Sequence, residues 1–92
     1  MRTLHVGEVL WRVSTHAEQA RIRRGFTLDE VAAAMHCPEV AYPQAHWSGP
    51  RRMCQRGRVS VVVSDETGTV ITVLLRQVVE WTDKDARHSR AA

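Results

Sequence analysis

The stretch Ser14–Pro38, STHAEQARIRRGFTLDEVAAAMHCP, decides the fold because it contains start and stop signals for two helices. Thr15 is the expected N-cap of the first helix, and Glu18, three residues later, can accept a hydrogen bond from the N–H of the cap, which makes a capping box. Gly25 is the expected stop, because the left-handed conformation at a helix end costs glycine no steric energy. The stretch therefore predicts a short first helix that ends at a glycine.

The second helix has equally complete signals. Thr27 and Glu30 form another capping box, and Phe26 before the cap can pack on Val31 as a hydrophobic staple. Pro38 ends the helix, because a proline disfavours the helical conformation of the residue before it. The apolar stripe of this helix, at helical spacing, consists of Leu28, Val31, Ala32 and Met35. The sequence thus predicts a helical hairpin with one buried face.

Length and composition indicate one globular domain. The 92 residues are 43% apolar and 25% charged, so we expect a single domain over residues 1–82 and a polar C-terminal tail over residues 83–92. No apolar run approaches the roughly 18 residues that a membrane span needs, so no membrane contact is expected. Polar residues interrupt the N-terminus where an export signal needs an apolar run. The simplest expectation is a cytoplasmic protein.

The charge balance favours a polyanionic partner. The net charge is +3, and arginine supplies all but one of the thirteen basic residues. The planar guanidinium suits bidentate phosphate contacts, although a coding sequence that favours arginine codons explains the same excess. Cys37 and Cys54 are too few for a secreted disulfide scaffold, and with His36 and His46 they match no compact zinc spacing. We therefore expect no metal and no other cofactor.

The second half of the chain changes to strand periodicity. Residues 65–68, DETG, are a four-residue hairpin loop between two nearly continuous apolar runs, which are expected to be central strands. The predicted strands of this half are Arg51–Arg56, Arg58–Ser64 and Thr69–Leu75.

The residue pattern predicts extended conformation in two further segments. Residues 3–13 predict one strand that leads into the first helix, although Gly7 weakens it. Glu39–Tyr42, between two prolines, suits only the edge of a sheet. Residues 77–81 either continue the last strand or begin a final turn. The expected architecture is α+β, in the order β-α-α-β-β-β, with the helical hairpin packed on an antiparallel sheet.

His16 is the first candidate for chemistry. At the start of the first helix, the helix dipole disfavours its protonated form and favours a bound anion. A neutral imidazole beside a phosphate can act as the general base that takes the 2′-hydroxyl proton in RNA cleavage. A solvated histidine with no role is the alternative.

Four arginines lie close together at the start of the β-rich half. Arg51, Arg52, Arg56 and Arg58 fall within eight residues, and the last three can share one face of the sheet unless Gly57 introduces a bulge. Such a row can neutralise a scissile phosphate and the charge that develops on it. A solvated edge strand that uses charge to resist aggregation is the alternative.

Five more residues complete the candidate RNA surface. Arg23 and Arg24 end the first helix, where they complement its C-terminal dipole and can contact RNA. Tyr42 and His46 precede the basic strand and can line its rim. Thr72, within the last strand, either packs in the sheet or directs its hydroxyl into the same cleft as the arginines.

The string HAEQARIRRGFTLDEV, residues 16–31, resembles the opening of a bacterial and phage family of unknown function. The runs GRVSVVV at 57–63 and VITVL at 70–74 agree with the second half of that family, so the resemblance covers roughly Ser14–Leu75. The family is grouped with the RelE-like metal-independent ribonucleases of toxin–antitoxin systems and polymorphic toxins. The resemblance implies the same α+β layout and the cleavage of RNA.

The resemblance also implies roles for single residues. The family's helix-start histidine matches His16, its basic residues before the central strand match Arg52 and Arg56, and its polar residue in the last strand matches Thr72. Phe26 stands where the family has an aliphatic residue, and the N-terminal segment is longer than in the family. A ribonuclease of this type implies a cognate antitoxin or immunity protein as a partner.

A rival resemblance points to DNA. The string RIRRGFTLDEVAAAM, residues 21–35, is also similar to the first two helices of phage-repressor helix-turn-helix domains. Those domains need a recognition helix soon afterwards, whereas here Pro38, Pro43 and Pro50 occupy that interval and β-rich runs follow. The sequence therefore favours an RNA-binding, metal-independent endoribonuclease. The alternative is a non-catalytic module, associated with a phage or a toxin–antitoxin system, that binds protein or nucleic acid.

Overall fold

The computed structural model describes residues 2–47 and 49–76, in which two helices pack on one face of a six-stranded sheet. The elements are β1 (Arg2–Val6), β2 (Val9–Val13), α1 (Thr15–Arg24), α2 (Leu28–His36), β3 (Val40–Gln44), β4 (Arg51–Arg56), β5 (Val59–Ser64) and β6 (Thr69–Leu75). The strand order is β1-β2-β6-β5-β4-β3, and neighbours are antiparallel except β2 and β6, which are parallel. The α+β class and the central position of the two apolar strands, β5 and β6, are confirmed.

The N-terminal segment is a hairpin, so the prediction of one strand over residues 3–13 was wrong. Val6 lies opposite Val9, and the turn between them places Gly7 at φ 60. A left-handed φ suits glycine, and a Cβ on Gly7 would lie 3.3 Å from the ring of His36 at the end of α2. Gly7 therefore marks a turn that packs against α2.

The segment after the helices is also more regular than its sequence indicates. The extended piece expected over Glu39–Tyr42 is a five-residue strand, β3, which pairs with β4 along its whole length. Pro43 is tolerated because β3 is the outermost strand of the sheet. The structure therefore has six strands in the order β-β-α-α-β-β-β-β, where the sequence predicted four. The predicted continuation at 77–81 and the tail at 83–92 lie outside the described residues.

The helical hairpin has the predicted limits, with one correction at its start. Gly25 ends α1 at φ 73, and the capping box of Thr27 and Glu30 is present. The N-cap of α1 is Ser14 instead of Thr15, because the Ser14 Oγ accepts the Ala17 N–H at 3.0 Å. His16 is therefore the second residue of α1.

The strand register defines two faces of the sheet. Val61 and Val63 of β5 belong to the core beneath the helices, so alternate residues such as Val62 point the other way. We call the first face the helix side and the second the distal face. The core on the helix side consists of Leu4, Val6, Trp11, Val13, Ala17, Phe26, Val31, Ala34, Met35, Val59, Val61, Val63, Val70 and Val73.

Candidate nucleic-acid interface

Arg52 lies on the helix side, where it is held by other residues of the chain. It lies opposite Val63, and its Nε and Nη2 donate to the two carboxylate oxygens of Asp65, each at 2.9 Å. Its Nη1 lies 3.2 Å from the Sγ of the buried Cys54. The hydrogen bonds from Arg52 lower the pKa of Asp65. Arg52 therefore ties strand β4 to the β5–β6 loop.

Arg58 is held in the same way by the second helix. Its Nε and Nη2 donate to the carboxylate of Glu30, both at 2.9 Å, and Nη2 also donates to the Gly25 carbonyl at 3.1 Å. Its guanidinium carbon lies 4.9 Å from the ring centre of Phe26, a cation–π contact. Hydrogen bonds from Arg58 and from the Thr27 N–H lower the pKa of Glu30 to about 2. Arg58 therefore fastens the start of β5 to the α1–α2 turn.

Arg56 completes the group on the helix side. It shares that face with Arg52, as the sequence predicted, and its Nη1 donates to the carbonyl of Cys37 at 3.0 Å. The contacts of these arginines thus reach the β5–β6 loop, the α1–α2 turn and the end of α2. We call Arg52, Arg56 and Arg58 the helix-side arginines.

The four residues proposed for catalysis are not brought together. Thr72 lies opposite Val62 on the distal face, whereas Arg52 and Arg56 lie on the helix side. His16 is exposed on α1, which packs mainly on β6. Within residues 2–47 and 49–76, no hydrogen bond or ion pair joins the imidazole to either arginine or to Thr72. The structure therefore places Thr72 in the sheet on the face away from these arginines, and the four groups do not share one cleft.

Arg23 and Arg24 are exposed in the last turn of α1, as the dipole argument predicts. Next to this turn lies an open depression of about 460 Å³, which none of the four proposed catalytic residues lines. The depression is lined by Arg21, Ile22, Gly25, Phe26, Thr27, Leu28 and Asp29.

A row of polar side chains crosses the distal face from one edge of the sheet to the other. Arg12 lies opposite Thr3 on β1 and Thr69 on β6, and Thr69 lies opposite Ser64 on β5. The β4–β5 register then places Arg51 beside Ser64. We call the whole set the polar row, and none of its members is buried. Its members, in spatial order, are Thr3, Arg12, Thr69, Ser64, Arg51 and Gln44.

The polar row has no carboxylate, because none of the six strands contains Asp or Glu. With strands about 4.8 Å apart, Arg12 and Arg51 are separated by about 14 Å across β6 and β5. Arg12 donates to the Thr67 carbonyl at 2.8 Å, which fixes its side chain along the sheet. The acidic residues that the structure describes all lie on helices and loops. The distal face is therefore the surface where positive charge is set among neutral strand residues.

Three of the predicted RNA contacts lie at one end of the polar row. Tyr42 is on the distal face next to Gln44, and Arg51 lies directly opposite Gln44. His46 is in the loop between β3 and β4, so it lies near the end of the basic strand β4, where the sequence placed it. The same loop holds Trp47, whose exposure is 92% and which the sequence analysis did not single out. The sequence did contain a signal for this exposure, because a tryptophan within the polar loop QAHWSGP is expected to lie at the surface.

Comparison of the chain with models of known protein families, with characterised proteins and with solved structures finds no match. The resemblance to RelE-like ribonucleases therefore stays a prediction from short motifs. No helix in the described part of the chain is long and apolar enough to cross a membrane. In that same part, no three His, Cys, Asp or Glu side chains gather where they could hold a metal ion.

Proposed function

We propose that this chain binds RNA along the polar row, as a non-catalytic module. The observation that supports the proposal is the row itself: two arginines, three hydroxyl side chains and one amide aligned across the sheet with no carboxylate among them. Guanidinium groups bind phosphate, and hydroxyl and amide groups can bind phosphate oxygens or the 2′-hydroxyl of ribose. The separation of Arg12 from Arg51 suits two different phosphates of a strand that lies across the sheet.

Binding accounts for the geometry better than cleavage does. A metal-independent ribonuclease needs a base, a cation and a positioning group within hydrogen-bond reach of one phosphate. Here Arg52 donates to Asp65 and Thr72 lies on the opposite face. The neutralising partner protein that the family resemblance implies depends on cleavage, so it is not part of this proposal. The cytoplasmic setting expected from the sequence agrees with RNA as the ligand.

The test compares two double substitutions that remove the same charge from different faces. Arg12→Ala with Arg51→Ala alters the polar row, and Arg23→Ala with Arg24→Ala alters the end of α1. Hydrogen bonds to charged groups contribute about 1.5–3 kcal/mol each, so the first pair should weaken RNA binding at least about tenfold. It should also reduce the slope of log K against log salt by about 1.4, at roughly 0.7 for each lost phosphate contact. The second pair should have a much smaller effect.

Fluorescence anisotropy with a labelled RNA, measured over a range of salt concentrations, gives both quantities. Circular dichroism verifies that the variants are folded. Equal weakening by the two pairs would mean that net charge governs binding, and the polar row would not be the site. Unchanged binding after loss of Arg12 and Arg51 would reject the proposal outright.

A further inference from the structure

The β3–β4 hairpin carries the most exposed aromatic side chain in the described part of the chain. Trp47 exposes 92% of its surface, while Tyr42 on the neighbouring strand exposes 42%. Single exposed apolar residues are common on protein surfaces, so exposure alone assigns no role. The second observation is that the loop carrying Trp47 connects two members of the polar row, Gln44 and Arg51.

The loop places the indole beside an imidazole. The Gly49 N–H donates to the His46 carbonyl at 3.0 Å, a backbone hydrogen bond within the loop that carries Trp47. The ring centres of His46 and Trp47 are 5.3 Å apart, with 35° between the ring planes. The indole therefore has the imidazole as a neighbour within the loop, and most of its surface stays accessible to a ligand.

The surroundings of the loop specify the chemistry of a ligand. The loop leaves the sheet at Gln44 and returns at Arg51, which are the last two members of the polar row. Residues 45–50, AHWSGP, add no carboxylate. A ligand that contacts the row and the indole together therefore needs anionic groups and a flat aromatic face. Nucleic acid has both, in its phosphates and its bases.

We infer that Trp47 stacks on an unpaired base of the RNA bound along the polar row, so that the site takes single-stranded RNA and discriminates against duplex. The inference rests on the proposed function. A base inside a duplex is stacked on both faces by its neighbours, whereas a base in a single strand can offer a face to an aromatic side chain.

The experiment measures the affinity of the purified full chain and of Trp47→Ala and Trp47→Phe for two probes. The probes are a single-stranded RNA of about 12 nucleotides, within the site size of a small domain, and a duplex of the same sequence. Base–aromatic stacking predicts that Trp47→Ala weakens single-strand binding roughly 5- to 150-fold. Trp47→Phe should retain most of the affinity, and the duplex should bind more weakly than the single strand and respond little to either change.

Two further readouts separate the possible failures. Indole fluorescence should be quenched by the single strand in the parent protein and much less in Trp47→Phe. If Trp47→Ala binds the single strand like the parent, or if duplex binds equally well, the stacking inference is overturned. If the Arg12 and Arg51 double variant still loses binding in that case, the proposed function survives. If neither set of changes matters, both are rejected.

Discussion

The helix side and the distal face of the sheet differ in the residues that surround their arginines. On the helix side, Arg52 and Arg58 each donate two hydrogen bonds to one carboxylate, so each guanidinium charge is balanced by an acidic side chain of the same chain. On the distal face, Arg12 and Arg51 lie in a row that contains no acidic residue. The difference teaches that a cluster of arginines in sequence does not locate a binding surface. The face of the sheet on which each arginine lies, and the residues beside it on that face, decide where a binding surface can form.

The two arrangements also serve different purposes. Exposed arginine–carboxylate pairs contribute only about 0–1 kcal/mol each to stability. The pairs on the helix side nevertheless have a geometric effect, because Asp65 lies in the β5–β6 loop and Glu30 on α2. They set the position of a loop and a helix relative to β4 and β5. Side chains that hold the fold in this way are poorly placed to reorganise around a ligand.

The largest expected effect is on the free energy of unfolding, and it distinguishes a buried aromatic residue beneath the helices, Phe26, from the exposed Trp47 beside the polar row. Phe26 is 2% exposed in the core and lies beneath the guanidinium of Arg58. Its replacement by Ala should lower the free energy of unfolding by about 3–5 kcal/mol, and Phe26→Leu should cost less than that. Trp47→Ala should stay within about 0.5 kcal/mol of the parent, since its ring has almost no buried area.

Urea denaturation followed by circular dichroism measures all three variants. If Phe26→Ala does not fold, Phe26→Leu still gives the destabilisation on the helix side. A loss in Trp47→Ala as large as that of Phe26→Leu would show that the indole is packed in solution. That result would remove the contrast between the two regions.

The response to acid is the next effect in size, and its largest part should come from the helix side, where Arg58 pairs with Glu30. The folded-state pKa of Glu30 is about 2, below its ordinary value of 4.5, mainly because of the hydrogen bonds from Arg58. A carboxylate with a depressed pKa contributes stability above its unfolded-state pKa, and loses that contribution as the pH falls through the folded-state value. The chain should therefore lose stability as the pH falls from about 4.5 toward 2.

The variant Glu30→Gln isolates this contribution, because glutamine at this position can still complete the capping box. Its unfolding free energy should lie below that of the parent at pH 7, and the difference should shrink as the pH falls below 4.5. Arg12→Ala is the matched control from the distal face and should leave the acid profile unchanged. A parent–variant difference that stays constant down to pH 3 would contradict the pKa shift at Glu30.

Much of the fold was readable from the sequence, because periodicity and capping are local signals. The limits of β4 and β6, the loop at 65–68 and the stop at Gly25 all agree with prediction. The hairpin at Gly7 was missed because a glycine inside an apolar alternation indicates either a weak strand or a turn. The position of Gly7 beside the ring of His36, 29 residues later, results from tertiary packing, so no local sequence signal predicts it.

The candidate site was less predictable, because it depends on strand register. Arg51 and Arg52 are neighbours in sequence, yet one belongs to the polar row and the other to the helix side. A slip of one residue would exchange the two, and no local signal fixes which of them faces the helices. The lack of acidic residues in the strands is visible in the sequence. The alignment of six polar residues across the sheet is not.

The smallest expected effect is that of His16→Ala on RNA itself. The purified protein, incubated with total cellular RNA in EDTA, should leave the RNA intact, and His16→Ala should behave in the same way. The reason is geometric: the exposed imidazole is not joined to Arg52 or Thr72, and these two lie on opposite faces of the sheet. Gel electrophoresis of the RNA, with folding matched by circular dichroism, checks this expectation.

If the protein does cleave RNA, Arg52→Ala becomes informative. It then distinguishes an Arg52 that binds the phosphate from an Arg52 that only holds the β5–β6 loop. Cleavage by the parent protein that is lost in His16→Ala would support the hypothesis that the chain is a ribonuclease and that His16 takes part in the reaction. If Arg52→Ala also abolished cleavage at unchanged stability, Arg52 would exchange Asp65 for the phosphate when RNA binds. If Arg52→Ala instead lowered stability and left cleavage intact, the arginine would hold the β5–β6 loop, as its two bonds to Asp65 indicate. The site of cleavage would then have to be sought near His16 on the surface of α1.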